Sequence, residues 1–321
     1  MSFPVFDLHC DTASVLMGRD FRGEGKLKKN GGHIDLERAK QLLGYAQCFG
    51  CFTTNFKHLP QNVRVENVFE QQLAVILREL NENADCIRQA FTAEDVIKNQ
   101  EAGRMSGILT IEGPVGFGCQ AEMLDDLYLI GFRITSLSWN EKNLLTGSHV
   151  TGGGLTEQGR EFVKEAQRVG MLIDVSHISD EGFYDLMDIT QAPIIATHSN
   201  SRAIWNSSRN LTDEMFLEIC RTGGVAGFNQ YAEFVGKNPD LDAACDHILH
   251  FLELDSDGKH ISLGGDLDGC DVLVDGFSDV ADYPKMAEKL LSRGVGRDIV
   301  HNIFWNNALR MMSCAVPSNK K

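Results

Sequence analysis

The chain has 321 residues, 43% of them hydrophobic, which is enough for a full core and a length that α/β barrels commonly fill as one domain. Its 30 basic and 45 acidic residues give a formal net charge of −15, which argues against nucleic acid or an anionic membrane as the main partner. No apolar run approaches the roughly 18 residues of a membrane span, no charged n-region precedes the first strand-like run, and the last residues are polar, so the expectation is a cytoplasmic protein.

Taken in chain order, eight β-type runs stand out: residues 5–9, 46–52, 105–112, 132–139, 171–177, 193–198, 224–229 and 260–266. Segments of helical periodicity lie between them, at 65–83, 159–169, 211–220 and 241–254, and a last helical stretch covers 298–312. Thr212 or Asp213 suits a helix cap, while Gly170 and Gly223 are placed to stop helices just before the next strand. Strand and helix alternating eight times predict a closed (β/α)8 barrel, a TIM barrel, spanning 1–321 as a single domain. Nine cysteines scattered through apolar segments fit reduced thiols. Cys48 and Cys51 form a C-x-x-C, but inside a strand-like run with no second pair, so neither a redox nor a zinc role is expected.

In such barrels the active site lies at the C-terminal ends of the strands. Five of the runs carry acid or histidine there. The first ends in His9-Cys10-Asp11, where residues two apart share a face, so His9 and Asp11 can close on one metal ion while Cys10 turns away. The others lead into Glu112, His177, His198 and Asp266. Two divalent ions sharing a carboxylate would use Glu112 as the bridge, His9 and Asp11 for the first ion, and His177 and His198 for the second. Histidine and carboxylate ligands without cysteine suit zinc, though manganese or cobalt would also fit. Asp266 is placed to move a proton, with Asp268 as its rival on the same strand end. The remaining histidines (His33, His58, His149, His247, His250, His260 and His301) end no strand and are expected on surfaces or helix faces; His149, in a glycine-rich loop on the functional rim, is the one reservation.

The ordered set Phe6-Asp7-Leu8-His9-Cys10-Asp11-Thr12, Ile111-Glu112-Gly113, Asp174-Val175-Ser176-His177, Ala196-Thr197-His198-Ser199-Asn200-Ser201-Arg202, Arg209-Asn210 and Gly264-Gly265-Asp266-Leu267-Asp268-Gly269 resembles the membrane dipeptidase (renal dipeptidase) family of zinc peptidases. The likeness runs from the first strand to Asn307-Ala308-Leu309-Arg310, nearly the whole chain. It implies two zinc ions per chain on His9, Asp11, Glu112, His177 and His198, with Arg209 holding the substrate's C-terminal carboxylate and Asp266 shuttling a proton. Animal members carry a carbonyl-polarising histidine where this chain has Trp139 followed by Asn140, a version similar to bacterial branches; both residues are expected to contact substrate. The implied activity is hydrolysis of small dipeptides, L,L and L,D, by a hydroxide bridging the two ions. Deacylation of N-acyl amino acids on the same site is the nearest alternative, and a catalytically silent ligand-binding barrel a more distant one. The sequence is compatible with a homodimer, and side-chain preference is left to loops such as 55–65 and 146–155.

Overall fold

The computed structural model describes residues 3–54, 59 and 63–317; His58 and most of the 55–65 loop fall outside the described residues. Nine strands are present among these: β1 (Val5–Cys10), β2 (Tyr45–Phe52), β3 (Ile87–Gln89), β4 (Met105–Glu112), β5 (Phe132–Ser136), β6 (Leu172–Asp174), β7 (Ile194–Ile195), β8 (Ala226–Phe228) and β9 (Ile261–Leu263). They run parallel in the order β7-β6-β5-β4-β2-β1-β9-β8, and a bridge between Ala196 and Ala226 joins the two ends. Eight of them make the expected barrel. The ninth, β3, pairs with Met105 to Gly107 at the start of β4 and leaves Leu109 to Ile111 for β5. At three residues it offers too little alternation to be read from sequence.

Helices follow the periodic segments closely: Val65–Glu82, Glu157–Val169, Asp213–Thr222 and Leu241–Leu254. The Thr212 hydroxyl accepts from the Met215 amide and is the cap of its helix. Gly170 and Gly223, at φ 96° and 84°, take the left-handed conformation that ends theirs. The last stretch is not one plain helix. It runs Arg297–His301, then a π-helical turn Asn302–Asn306, then Asn307–Cys314.

Two buried clusters organise the interior. The inner one gathers Phe6, Leu8, Ala46, Cys48, Ile108, Ile134, Leu172 and Ile195 from the barrel strands, with Trp305, Ala308 and Met311 of the final helical stretch packed against them. Val5 and Cys10 belong instead to the outer cluster between strands and helices. Strict alternation from Phe6 and Leu8 would turn residue 10 inward and His9 outward. The register shows why this does not happen: Asp7 pairs with Gln47, but Cys10 pairs with Phe49, so β1 spends three residues where β2 spends two. This bulge re-aims the strand end and places His9 and Asp11 in the mouth. Cys10 does turn away, as expected.

Several runs shorten on their C-terminal side. The run 171–177 becomes Leu172–Asp174, and 193–198 becomes Ile194–Ile195, because side chains take over the backbone there. Asp174 Oδ1 accepts from the amides of Ser176 (3.0 Å) and Thr197 (2.8 Å). His177 and His198 thus stand just past the ladder. All nine cysteines, Cys48 and Cys51 included, are free. No helix among the described residues is long and apolar enough to cross a membrane.

Candidate metal centre

Five strand ends converge at the mouth. Glu112, the last residue of β4, stands at the middle: its Oε1 is 2.8 Å from His177 Nε2 and 3.7 Å from His198 Nε2, and its Oε2 is 3.3 Å from His9 Nε2. The two Nε2 atoms of His177 and His198 are 3.0 Å apart. Asp11 and Asp266 approach from the other side, each with a carboxylate oxygen within 4.8 Å of a His9 ring nitrogen and of one another. The structure therefore brings together every residue expected from sequence to ligate metal, and Asp266 with them.

Glycines make the approach feasible. A Cβ on Gly50 would lie 3.1 Å from His9 Cε1 and from the Cys10 carbonyl oxygen. One on Gly269 would lie 2.3 Å from Asp266 Oδ1 and 2.5 Å from Asp11 Oδ2. Asp266 itself has φ 55°, a left-handed backbone that aspartate tolerates better than most residues.

Proton bookkeeping tests whether these residues fit a cation. His177 Nδ1 is 2.9 Å from Asn140 Oδ1, which can only accept, so Nδ1 carries the hydrogen and Nε2 presents a lone pair. Thr197 Oγ1 donates to Asp174 Oδ2 at 2.6 Å and so accepts from His198 Nδ1 at 2.7 Å, leaving His198 Nε2 without a hydrogen as well. Burial, reinforced by Arg209, lowers His177 to about 4, and burial with His9 beside it holds His198 well below the ordinary imidazole range. Two neutral imidazole lone pairs and a carboxylate oxygen thus face one another at 2.8 to 3.7 Å. Ligands of a tetrahedral zinc stand ~3.3 Å apart when each is ~2.0–2.1 Å from the ion, so the set fits a cation. His9 Nε2, Asp11 Oδ1 and Glu112 Oε2 are also buried without a hydrogen-bond partner.

Carboxylate titrations diverge at the mouth. Burial opposes the charge on Glu112, but His9 beside it holds it well below the ordinary range. Burial and Glu112 push Asp11 far upward. Asp266 rises to about 6, mainly through burial, with His9 pulling it down and Glu112 pushing it up. Burial opposes a charged His9, yet Glu112, Asp11 and Asp266 together raise it to about 10.

Arg209 lies against the same cluster, 2% exposed, with Nη1 on Ser199 Oγ at 2.7 Å and Nη2 3.1 Å from His177 Nε2. Its Nε has no partner, and burial lowers it to about 10. Trp139 packs edge-on to Phe52, ring centroids 5.0 Å apart, with its ring 6.3 Å from that of His177. Asn140 does not present its oxygen to an open substrate position, since His177 and His149 both hold it. Asp268 is turned to the scaffold, accepting from Thr12 Oγ1 at 2.6 Å and from the His33 amide.

Of the histidines expected on surfaces or helix faces, His247 lies on the inward face of the helix Leu241–Leu254. His247 is fully buried, accepting from the Ser201 amide and bonded to the Val235 carbonyl. His149, the one held in reserve, reaches Asn140 Oδ1 from its glycine-rich loop. Residues that sequence reasoning passed over include Asn229, which donates to Asp266 Oδ2 at 3.1 Å, and Ser199 and Thr197, which hold Arg209 and His198. Asn229 does end a predicted run, but an amide carries no metal-ligand signal.

A parallel (β/α)8 barrel with histidines and carboxylates converging at the C-terminal mouth defines the class, a metal-dependent hydrolase. The membrane dipeptidase model, peptidase family M19, matches residues 1–320, and the chain belongs to that family. Among relatives, the dipeptidase tcpJ of Claviceps purpurea is 27% identical over 297 residues, covering 88% of this chain and 69% of that one. The uncharacterized dipeptidase C3A11.10c of Schizosaccharomyces pombe is 31% identical over 214 residues, 64% of this chain; the match spans only 52% of the yeast protein. Among solved structures, a metallo peptidase from Rhodobacter sphaeroides liganded with a phosphinate mimic of the dipeptide L-Ala-D-Ala superposes with a TM-score of 0.88 at 25% identity, covering 98% of this chain and all of that one.

Proposed function

We propose that the chain is a binuclear zinc dipeptidase, acting as a single barrel domain on small dipeptides with a free C-terminal carboxylate. The observation that carries this is Arg209, a buried guanidinium with an unpartnered Nε, whose Nη2 lies 3.1 Å from His177 Nε2 in the cluster of metal-type ligands. A buried charge is stable only when paired, and a planar fork is suited to a carboxylate. His9 and Asp11 would hold one ion and His177 and His198 the other, with Glu112 between them. The ions would supply Lewis acidity toward the scissile carbonyl and a water acidified to near neutrality.

Arg209 then fixes the substrate's C-terminus, which aims the amide at the cluster. Asp266, raised toward neutrality and oriented by Asn229, takes the proton of the attacking water and delivers it to the departing amine. Trp139 and Phe52 form an aromatic wall where animal members place a polarising histidine. The L-Ala-D-Ala mimic bound by the Rhodobacter relative supports acceptance of a D-residue at the C-terminal position. Nine free thiols support a reducing, cytoplasmic setting.

The test is a screen of zinc-loaded protein against L,L and L,D dipeptides and their N-acylated counterparts. A dipeptidase loses most activity on acylation of the N-terminus; retained or increased activity would favour the deacylase. Turnover of nothing in the library, with two ions bound, would point to the silent barrel.

A further inference from the structure

We propose that Asn140 is a positioning residue that sets the metal-binding face of His177, and that His149 locks it in place. The Asn140 amide oxygen receives two ring nitrogens, His177 Nδ1 at 2.9 Å and His149 Nε2 at 2.8 Å. An amide oxygen has two lone pairs and no hydrogen, so both nitrogens donate and both lone pairs are used. With its hydrogen held on Nδ1, His177 has only Nε2 to offer toward Glu112. The second donor matters because a single hydrogen bond leaves an amide free to rotate, whereas two from different directions fix its plane.

His149 is itself held on its far side. Its Nδ1 is 3.0 Å from Ser208 Oγ, which is consistent with the hydroxyl donating to the nitrogen left bare. The same loop also grips the backbone of the ligand. The His149 amide donates to the His177 carbonyl at 2.9 Å, and Ser148 Oγ donates to the Asn140 carbonyl at 2.8 Å. Ser208 immediately precedes Arg209. One chain of hydrogen bonds, Ser208–His149–Asn140–His177, therefore ties together the segments that follow β5, β6 and β7. A ligand imidazole whose other nitrogen is held in this way keeps its tautomer and ring orientation, and loss of such a partner typically costs ~10–100-fold in metal affinity.

This inference rests on the metal reading above, and its test separates the two. The wild-type protein, labelled with ring-¹⁵N histidine, is examined by NMR without metal, with His177 assigned by its loss in His177→Gln. Hydrogen on Nδ1 is expected, and hydrogen on Nε2 overturns the proposal. Cobalt is then titrated against a chelator. Asn140→Leu should weaken one of two ions by ~10–100-fold and leave the other unchanged. Asn140→Asp, which keeps an acceptor, should restore most of the loss, and His149→Phe should weaken the same ion by a smaller factor. If Asn140→Leu takes up both ions as the wild type does, the positioning role is wrong while the metal reading stands. A wild-type protein that takes up no cobalt overturns both. The NMR arm needs no variant at position 140, so it decides even where Asn140→Leu does not fold.

Discussion

Replacing Arg209 by methionine should move stability and activity in opposite directions. Burial lowers the guanidinium from 12.5 to about 10, and at ~1.4 kcal/mol per pH unit this is ~3 kcal/mol spent keeping it charged inside the protein. Methionine is of similar length and carries no charge. It removes that cost but also the hydrogen bonds to Ser199 and His177, worth ~1 kcal/mol each. The metal-free variant should therefore be as stable as the wild type or more stable by up to ~2 kcal/mol in denaturant titrations. Its kcat/KM on a dipeptide should fall by ~2–5 kcal/mol, about 30- to 5,000-fold, as expected when a buried substrate carboxylate loses its partner. A substrate carrying a C-terminal amide should be poor for the wild type and hardly worse for the variant. A variant that is several kcal/mol less stable, and that still prefers the free acid, would show that Arg209 is a structural ion and that another group reads the carboxylate.

Glu112→Gln should weaken both ions together, because Oε1 faces His177 and His198 while Oε2 faces His9; loss of one ion alone, measured by equilibrium dialysis and elemental analysis, would remove Glu112 from the bridge. Asp266→Asn should keep the metal and lower kcat by ~10²–10⁴. Asp268→Asn, by contrast, should mainly lower stability, by ~1–3 kcal/mol, through the contacts to Thr12 and His33; the reverse outcome would make Asp268 the proton carrier. The metal-free protein should lose stability as pH rises from about 6.5 toward 10. His9 is raised to about 10 when folded, so it binds a proton there that the unfolded chain has released, a slope of ~1.4 kcal/mol per pH unit per proton. Metal loading should flatten this, since a ligand histidine must already be deprotonated; a metal-free protein equally stable at pH 7 and 9.5 would contradict the raised value.

Eight strand ends were legible because apolar runs bounded by helix signals are a strong pattern, and a barrel sends their ends to one face. That rule was enough to expect His9, Asp11, Glu112, His177, His198 and Asp266 at one mouth. What was not legible depended on register or on side-chain hydrogen bonding. Nothing in Val5-Phe6-Asp7-Leu8-His9 announces a bulge, yet without it His9 would face the helices. Asp268 and Asp266 look equivalent in Gly264-Gly265-Asp266-Leu267-Asp268-Gly269, and only their partners from distant loops separate them, Asn229 for one and His33 with Thr12 for the other. Asn140 read as a substrate contact because the family pattern places it on the rim, and its two histidine partners come from segments that sequence spacing does not connect.

The same geometry explains why this mouth makes little sense as a stabilising core. A protein free to optimise its fold would not bury Asp11, Glu112 and Asp266 together, since like charges at this range raise one another and each loses its hydration. Nor would it leave a guanidinium nitrogen without a partner a few ångströms away. The surrounding scaffold over-determines the arrangement instead: Asp174 orders the two turns that carry Ser176 and Thr197, Asp7 binds the amides of His9 and Gly265, and Tyr283 holds Asp7 in turn. These supports are neutral groups or single acids satisfied by backbone amides and hydroxyls. They can hold the mouth without adding cations that would compete with metal. Local destabilisation at the mouth and satisfied polar contacts beneath it are thus two parts of one design, in which, on the function proposed above, bound cations and an anionic substrate end would supply the favourable energy that the cluster alone lacks.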